Sequence, residues 1–159
     1  MNHAAPSPHI AMLGRHLQAE NAHDLEAVLA TVHPETRFHD LALDQVFLGR
    51  AGAARHYQMW WQAFGNVVER SPAGETRHWL GAENYVAEAQ YRGRHQGDFL
   101  GLAPTGREIA LPFTVFVAFR DGLFVAERFY YDLTTLLEQI GCPEHPSEIR
   151  RRARAYAGA

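Results

Sequence analysis

An α+β fold is predicted by two features of the chain: apolar residues at three- and four-residue spacings in the first part, and alternation broken by turn signals from Glu69 onward. Ile10, Leu13 and Leu17, then Leu25, Val28, Leu29 and Val32, mark two short amphipathic helices. Asn21 or Asp24 can cap the second, and Pro34 ends it. Residues 37–40 form a short extended piece. Gly49 opens a third helix, in which Tyr57, Trp60, Trp61 and Phe64 share one face until Gly65 and Asn66 stop it. That aromatic face is core, with part of it free to serve as substrate wall.

Strands follow at residues 76–80, 85–96, 108–119 and 123–131. They are joined by turns at Ser71-Pro72-Ala73-Gly74, Gly81, Gly97, Pro104-Thr105-Gly106 and Asp121-Gly122, as an antiparallel meander. In the second of these strands His95 shares parity with the apolar set Tyr85, Ala87, Ala89 and Tyr91. The third is apolar on both faces, with Phe113, Val115 and Val117 on one and Ala110, Phe116 and Ala118 on the other. Such a strand needs two covers, so helices are expected on one face and a second copy of the sheet, in a homodimer, on the other. Asp132 starts a last helix, 133–140, closed by Gly141 and Pro143. The domain reading is a flexible tail at 1–8, one domain at 9–143, and a basic tail at 144–159 that could form a short helix.

The 159 residues, 47% hydrophobic and 21% charged, suit one globular domain. All fifteen basic residues are arginine, which excludes a Schiff-base lysine and a P-loop lysine. The net charge of -3 argues against nucleic acid. The cluster Arg150, Arg151, Arg152 and Arg154 reads as a solvated helical face. Cys142 is the single cysteine, no signal-peptide stretch stands in residues 1–20, and no apolar run reaches membrane-spanning length, so a cytoplasmic protein without membrane contact is expected.

Ten histidines occur without HxH or HExxH spacing, so no metal site is expected; His16 and His23 read as solvated. The run 101–108 has Arg107 and Glu108 where a phosphate loop needs lysine and a hydroxyl, and no GxSxG elbow occurs. Acid–base chemistry in an aromatic pocket remains. Asp132 follows Phe129-Tyr130-Tyr131, a setting that could raise a carboxylate towards a useful base; equally, Asp before Leu133-Thr134-Thr135 is a helix N-cap, whose pKa falls. His95 is a candidate proton donor or a satisfied core histidine. Of the neighbours His39 and Asp40, His39 is taken to face inward. Glu127 and Arg128 read as cross-strand ion-pairing residues on a sheet.

The run His95-Gln96-Gly97-Asp98-Phe99-Leu100-Gly101, then Pro104-Thr105-Gly106-Arg107, then Glu127-Arg128-Phe129-Tyr130-Tyr131-Asp132, closing with Leu136-Leu137-Glu138-Gln139-Ile140-Gly141, resembles the SnoaL-like polyketide cyclase or ester cyclase family, a branch of the nuclear-transport-factor-two-like superfamily. The resemblance extends over roughly residues 9–143. It implies a cone-shaped fold, with a curved antiparallel sheet wrapped around N-terminal helices and a deep pocket, usually in a homodimer. It also implies cofactor-independent aldol cyclisation or isomerisation of a hydrophobic carbonyl compound, with Asp132 as general base; His95 or a tyrosine hydroxyl is the expected donor to the enolate oxygen. His39, Tyr57, Trp60, Trp61, Phe113, Phe129 and Tyr131 are the expected substrate-binding residues, with no metal and no cofactor. The last strand, Glu127 to Asp132, departs from the His-Trp type sequence of better-understood cyclases. The alternative is a non-catalytic protein that binds a small hydrophobic ligand in the same pocket.

Overall fold

The first strand of the chain pairs with the last in the computed structural model, which describes residues 8–71 and 77–157. Helices α1 (Ile10–Asn21) and α2 (Leu25–Ala30) lead into β1 (Val32–Asp40) and β2 (Gln45–Leu48). Asp24 caps α2 by accepting the Ala27 N–H at 3.0 Å. The long helix α3 (Gly49–Phe64) follows, then β3 (Val67–Arg70), β4 (Arg77–Trp79), β5 (Asn84–Arg94), β6 (Glu108–Arg120), β7 (Leu123–Tyr131), α4 (Leu133–Ile140) and α5 (Pro146–Ala157). The sheet runs β2-β1-β7-β6-β5-β3, with β4 also on β5. Every pairing is antiparallel except β1 with β7. The sheet is curved and open, and α3 packs Tyr57, Trp60 and Phe64 into a core shared with Phe38, Leu111, Phe113 and Phe129.

The expected α+β order is present, with informative differences. Strand β1 begins at Val32, and Pro34 stands inside it rather than ending α2. Its missing N–H falls where the pairing of β1 with β7 shifts register between Val32 and Arg37, so no ladder bond is lost. Strands β2 and β3, of four residues each, are too short to give a full alternation signal. The expected turn at 71–74 and the start of the 76–80 strand fall largely outside the described residues.

The basic tail is part of the fold. Helix α5 buries Ile149 and Ala153 completely, its Arg150 Nε donates to the Ala42 carbonyl at 2.8 Å, and Gln45 Nε2 donates to the Ala153 carbonyl at 2.6 Å. Arg154 pairs with Asp44 at 3.0 Å. Only part of the arginine cluster is a solvated face, because the apolar stripe beneath it seats the helix on the β1–β2 turn.

One irregularity decides the site. Phe119 pairs with Phe124 but Ala118 pairs with Ala126, so Val125 is an extra residue in β7. An extra residue reverses the alternation beyond it. Phe124 faces inward, and past the bulge the inward set becomes Glu127 and Phe129, opposite Val117 and Val115.

Candidate active site

A cavity of about 430 Å³ lies between α1 and the inner face of the sheet. Ile10, Leu13 and Leu17 wall it on the helix side; Tyr91, Phe113 and Phe129 wall it on the sheet side. The apolar spacing of α1 thus marks a cavity wall. The buried residues of that helix are His16 and Ala19, so His16, read from the sequence as solvated, is 4% exposed.

Its bonding fixes its tautomer. The Thr31 hydroxyl donates to the Val28 carbonyl at 2.6 Å, so at 2.7 Å from His16 Nδ1 it can only accept, and Nδ1 carries the proton. In the neutral ring Nε2 is then a bare acceptor. The Tyr57 hydroxyl donates to it at 3.3 Å. Glu127 Oε1 stands 3.3 Å and Glu20 Oε2 3.9 Å from the same nitrogen. The ring lies flat on Phe124, centroids 3.9 Å apart.

Burial sets the charges. It holds His16 down at about 3, pushes Glu20 up to about 7, and pushes Glu127 well above the usual carboxylate range, with the nearby Glu20 charge adding to the last. At neutral pH His16 is neutral, Glu127 keeps its proton, and Glu20 is divided between its two forms. Tyr57 and Tyr91 stay protonated, raised first by burial. Glu127 is accordingly no surface ion-pairing residue; its neighbour Arg128 points outward, with Cζ 5.1 Å from the Phe116 ring centroid.

A second buried carboxyl lies at the end of β1. Asp40 is fully buried, with Tyr131 donating to Oδ2 and the Leu43 N–H to Oδ1, each at 3.0 Å. Burial lifts it to about 7 against those bonds. The Trp60 indole N–H pulls weakly the same way as the bonds, although its geometry falls short of a hydrogen bond. Asp40, not His39, is the inward member of that pair, because Phe38 is in the core and the alternation of β1 carries 40 to the same side.

These groups give stability a pH dependence. Acids raised above their unfolded values contribute stability that is full below about 4.5 and is lost as pH rises through the folded values, whereas His16 and His56, both held at about 3, lose stability as pH falls below about 6.5. The two slopes oppose each other between about 4.5 and 6.5, and only the acids act above that window. Melting scans should therefore show Tm falling from pH 6.5 to 8, with the slope reduced in Glu127→Gln.

The other sequence candidates are dispersed. Asp132 is exposed and caps α4, accepting the Thr134 N–H at 2.9 Å and the Thr135 hydroxyl at 2.8 Å; the Thr135 bond, first among the causes, holds it below the usual carboxylate value. It stands outside the cavity because β7 ends at Tyr131 and the chain turns there into α4. His95 is buried in the turn after β5, where the Thr105 N–H donates to Nδ1 at 3.3 Å and Phe64 lies beside the ring at 5.3 Å. It too is away from the cavity. Phe113 and Phe129 line the cavity, and Tyr57 reaches it through His16. Trp60 is core against Tyr91, Trp61 stacks on Tyr57 and His23, and Tyr131 serves Asp40.

Among the described residues no group of three His, Cys, Asp or Glu side chains is placed to hold a metal ion, and no helix is long and apolar enough to cross a membrane. The family model for the SnoaL-like polyketide cyclases matches residues 10–140. The chain belongs to that family. No curated protein sequence matches this SnoaL-like chain.

Solved structures share its fold. A protein from Jannaschia sp. CCS1, assigned to the SnoaL-like polyketide cyclases, superposes with TM-score 0.74 at 21% identity over 89% of this chain and 99% of that one. A protein of ketosteroid isomerase-like fold from Catenulispora acidiphila DSM 44928, bound to trimethylamine, gives 0.70 at 17% identity over 87% and 96%. TerC, co-crystallised with polyporic acid, gives 0.67 at 17% identity over 85% and 99%.

Proposed function

We propose that this SnoaL-like protein transfers protons within an apolar carbonyl compound held between α1 and the sheet, in an aldol cyclisation or an isomerisation. The observation that carries the reading is the meeting of Glu20 and Glu127 on the bare nitrogen of His16 at the wall of an aromatic cavity. Two acids whose environments push them apart are the requirement for running acid and base chemistry at one pH. Glu20, near 7, takes the α-proton in its ionised form. Glu127, which keeps its proton and is 4% exposed, donates to the oxygen on which enolate charge develops. These side chains suffice for the step, with Tyr91, Phe113 and Phe129 shaping the substrate. Crystals of the two fold neighbours with small molecules, trimethylamine and polyporic acid, support a small-molecule site in this fold.

A homodimer through the outer face of the sheet is part of the proposal. Phe116 and Tyr130 form an aromatic pair there, centroids 5.7 Å apart, and Tyr130 is 39% exposed.

Deuterium incorporation from D2O into a panel of enolisable cyclic ketones and 1,3-dicarbonyls tests the chemistry. The protein should accelerate exchange, Glu20→Gln should return it to background, and Asp132→Asn should leave it unchanged. Loss in Asp132→Asn with retention in Glu20→Gln would return the base to the end of β7. No exchange with any compound would support ligand binding without catalysis.

A further inference from the structure

Among the described residues, the acids in the cavity have no charged partner while His16 is neutral. His16 Nε2 stands 3.9 Å from Glu20 and 3.3 Å from Glu127; it carries no proton while burial keeps the ring neutral, and the Tyr57 hydroxyl donates to that same nitrogen. No arginine among the described residues pairs with either glutamate. Arg70 and Arg77 do line the cavity, but both are exposed at its rim, where the exposed Glu69 and Glu88 lie with them. The Glu127 side chain is only 5% exposed and that of Glu20 13%. A carboxylate at either position is buried with no opposite charge beside it, which is costly.

The walls around the acids are aromatic: Tyr85, Tyr91, Phe113, Phe124 and Phe129 line the same space, with Tyr91 and Phe113 stacked on each other and Phe124 under the His16 ring. Ring faces attract cations, and the attraction grows as water is removed. Aromatic walls with two buried acids and, among the described residues, no cation at the inner end form a complementary environment for an ammonium group.

We propose that the inner end of this cavity recognises a compact organic cation, a protonated or quaternary amine, so that the carbonyl compound carries a basic nitrogen seated between Glu20, Glu127 and the aromatic walls. This rests on the cavity being the substrate site. A ligand with a fixed positive charge would make an ionised Glu20 favourable, so its binding releases a proton from the protonated fraction of Glu20 to solvent. An uncharged ligand of the same shape fills the same volume and releases none.

Choline and its carbon isostere 3,3-dimethylbutan-1-ol, which replaces the trimethylammonium by a tert-butyl group, are the probes. Calorimetry in buffers of differing ionisation enthalpy reads affinity and proton release together. Choline should bind about tenfold more tightly than the isostere, release protons near neutral pH, and gain affinity as pH rises while the isostere stays flat. The Glu20→Gln/Glu127→Gln double variant, with its fold checked by circular dichroism, should bind the two alike and release no proton. Equal or tighter binding of the isostere, binding of neither, or a choline preference that survives in the double variant would overturn the proposal. Because the readout is binding, deuterium exchange could fail while the choline preference stands. Exchange with no choline preference removes only the cation.

Discussion

Glu127→Gln should lower turnover of a competent carbonyl substrate by about 10²–10⁴-fold, the range for losing a positioned proton donor. The amide keeps the volume of the carboxyl beside His16, so the cavity wall survives. It cannot deliver a proton to an enolate. Steady-state kinetics with an uncharged carbonyl substrate should show the loss in kcat, with KM little changed, because the interaction strengthens only as charge develops. Tm above pH 7 should be equal to or higher than in the parent, since the variant no longer holds an acid away from its ordinary ionisation. A variant that is destabilised at every pH and has a raised KM would mark Glu127 as a structural residue.

Gly97→Ala should cost about 3 kcal/mol or more, at the upper end for overpacking. A Cβ at Gly97 would stand 2.2 Å from the Gln62 carbonyl oxygen, which belongs to the backbone of α3 and has no side-chain freedom with which to yield. The turn is tied to that helix from both sides, with the Gln96 and Gly97 N–H groups both donating to the Ala63 carbonyl at 2.8 and 3.1 Å. Urea unfolding should show a lower midpoint at unchanged m. Gly106→Ala is the comparison. A Cβ there meets nothing within 4 Å, and the cost is that of a positive φ of 71°, about 1 kcal/mol.

Element types were legible wherever the chain is long and periodic: α1, α3, β5, β6, β7 and α4. The acid–base pair was not, and the cause is local. Counting by twos from Phe124 puts Glu127 outside, and only the extra residue at Val125 turns it in; a bulge of this kind leaves no mark in an alternating apolar strand. His16 was hidden differently. The stripe Ile10, Leu13 and Leu17 was read as the buried face of α1, but it lines empty volume, and Ile10 is 48% exposed. Asp132 could be read in either of two ways, and the Leu-Thr-Thr that follows it did spell a cap. Asp40 against His39 turned on parity, which a four-residue reading of β1 could not fix without knowing that Phe38 is core.

The parallel pairing of β1 with β7 joins segments about ninety residues apart, Phe38 lying beside Glu127. Such closure is slow to find because its entropy cost precedes its reward. On a ribosome, β1 would leave the exit tunnel long before the strand that completes it, and its pairing edge would stay open to other chains in the interval. The strand that brings Glu127 into the cavity is also the one that seals this edge, so acquiring the site and escaping aggregation during synthesis become a single late event.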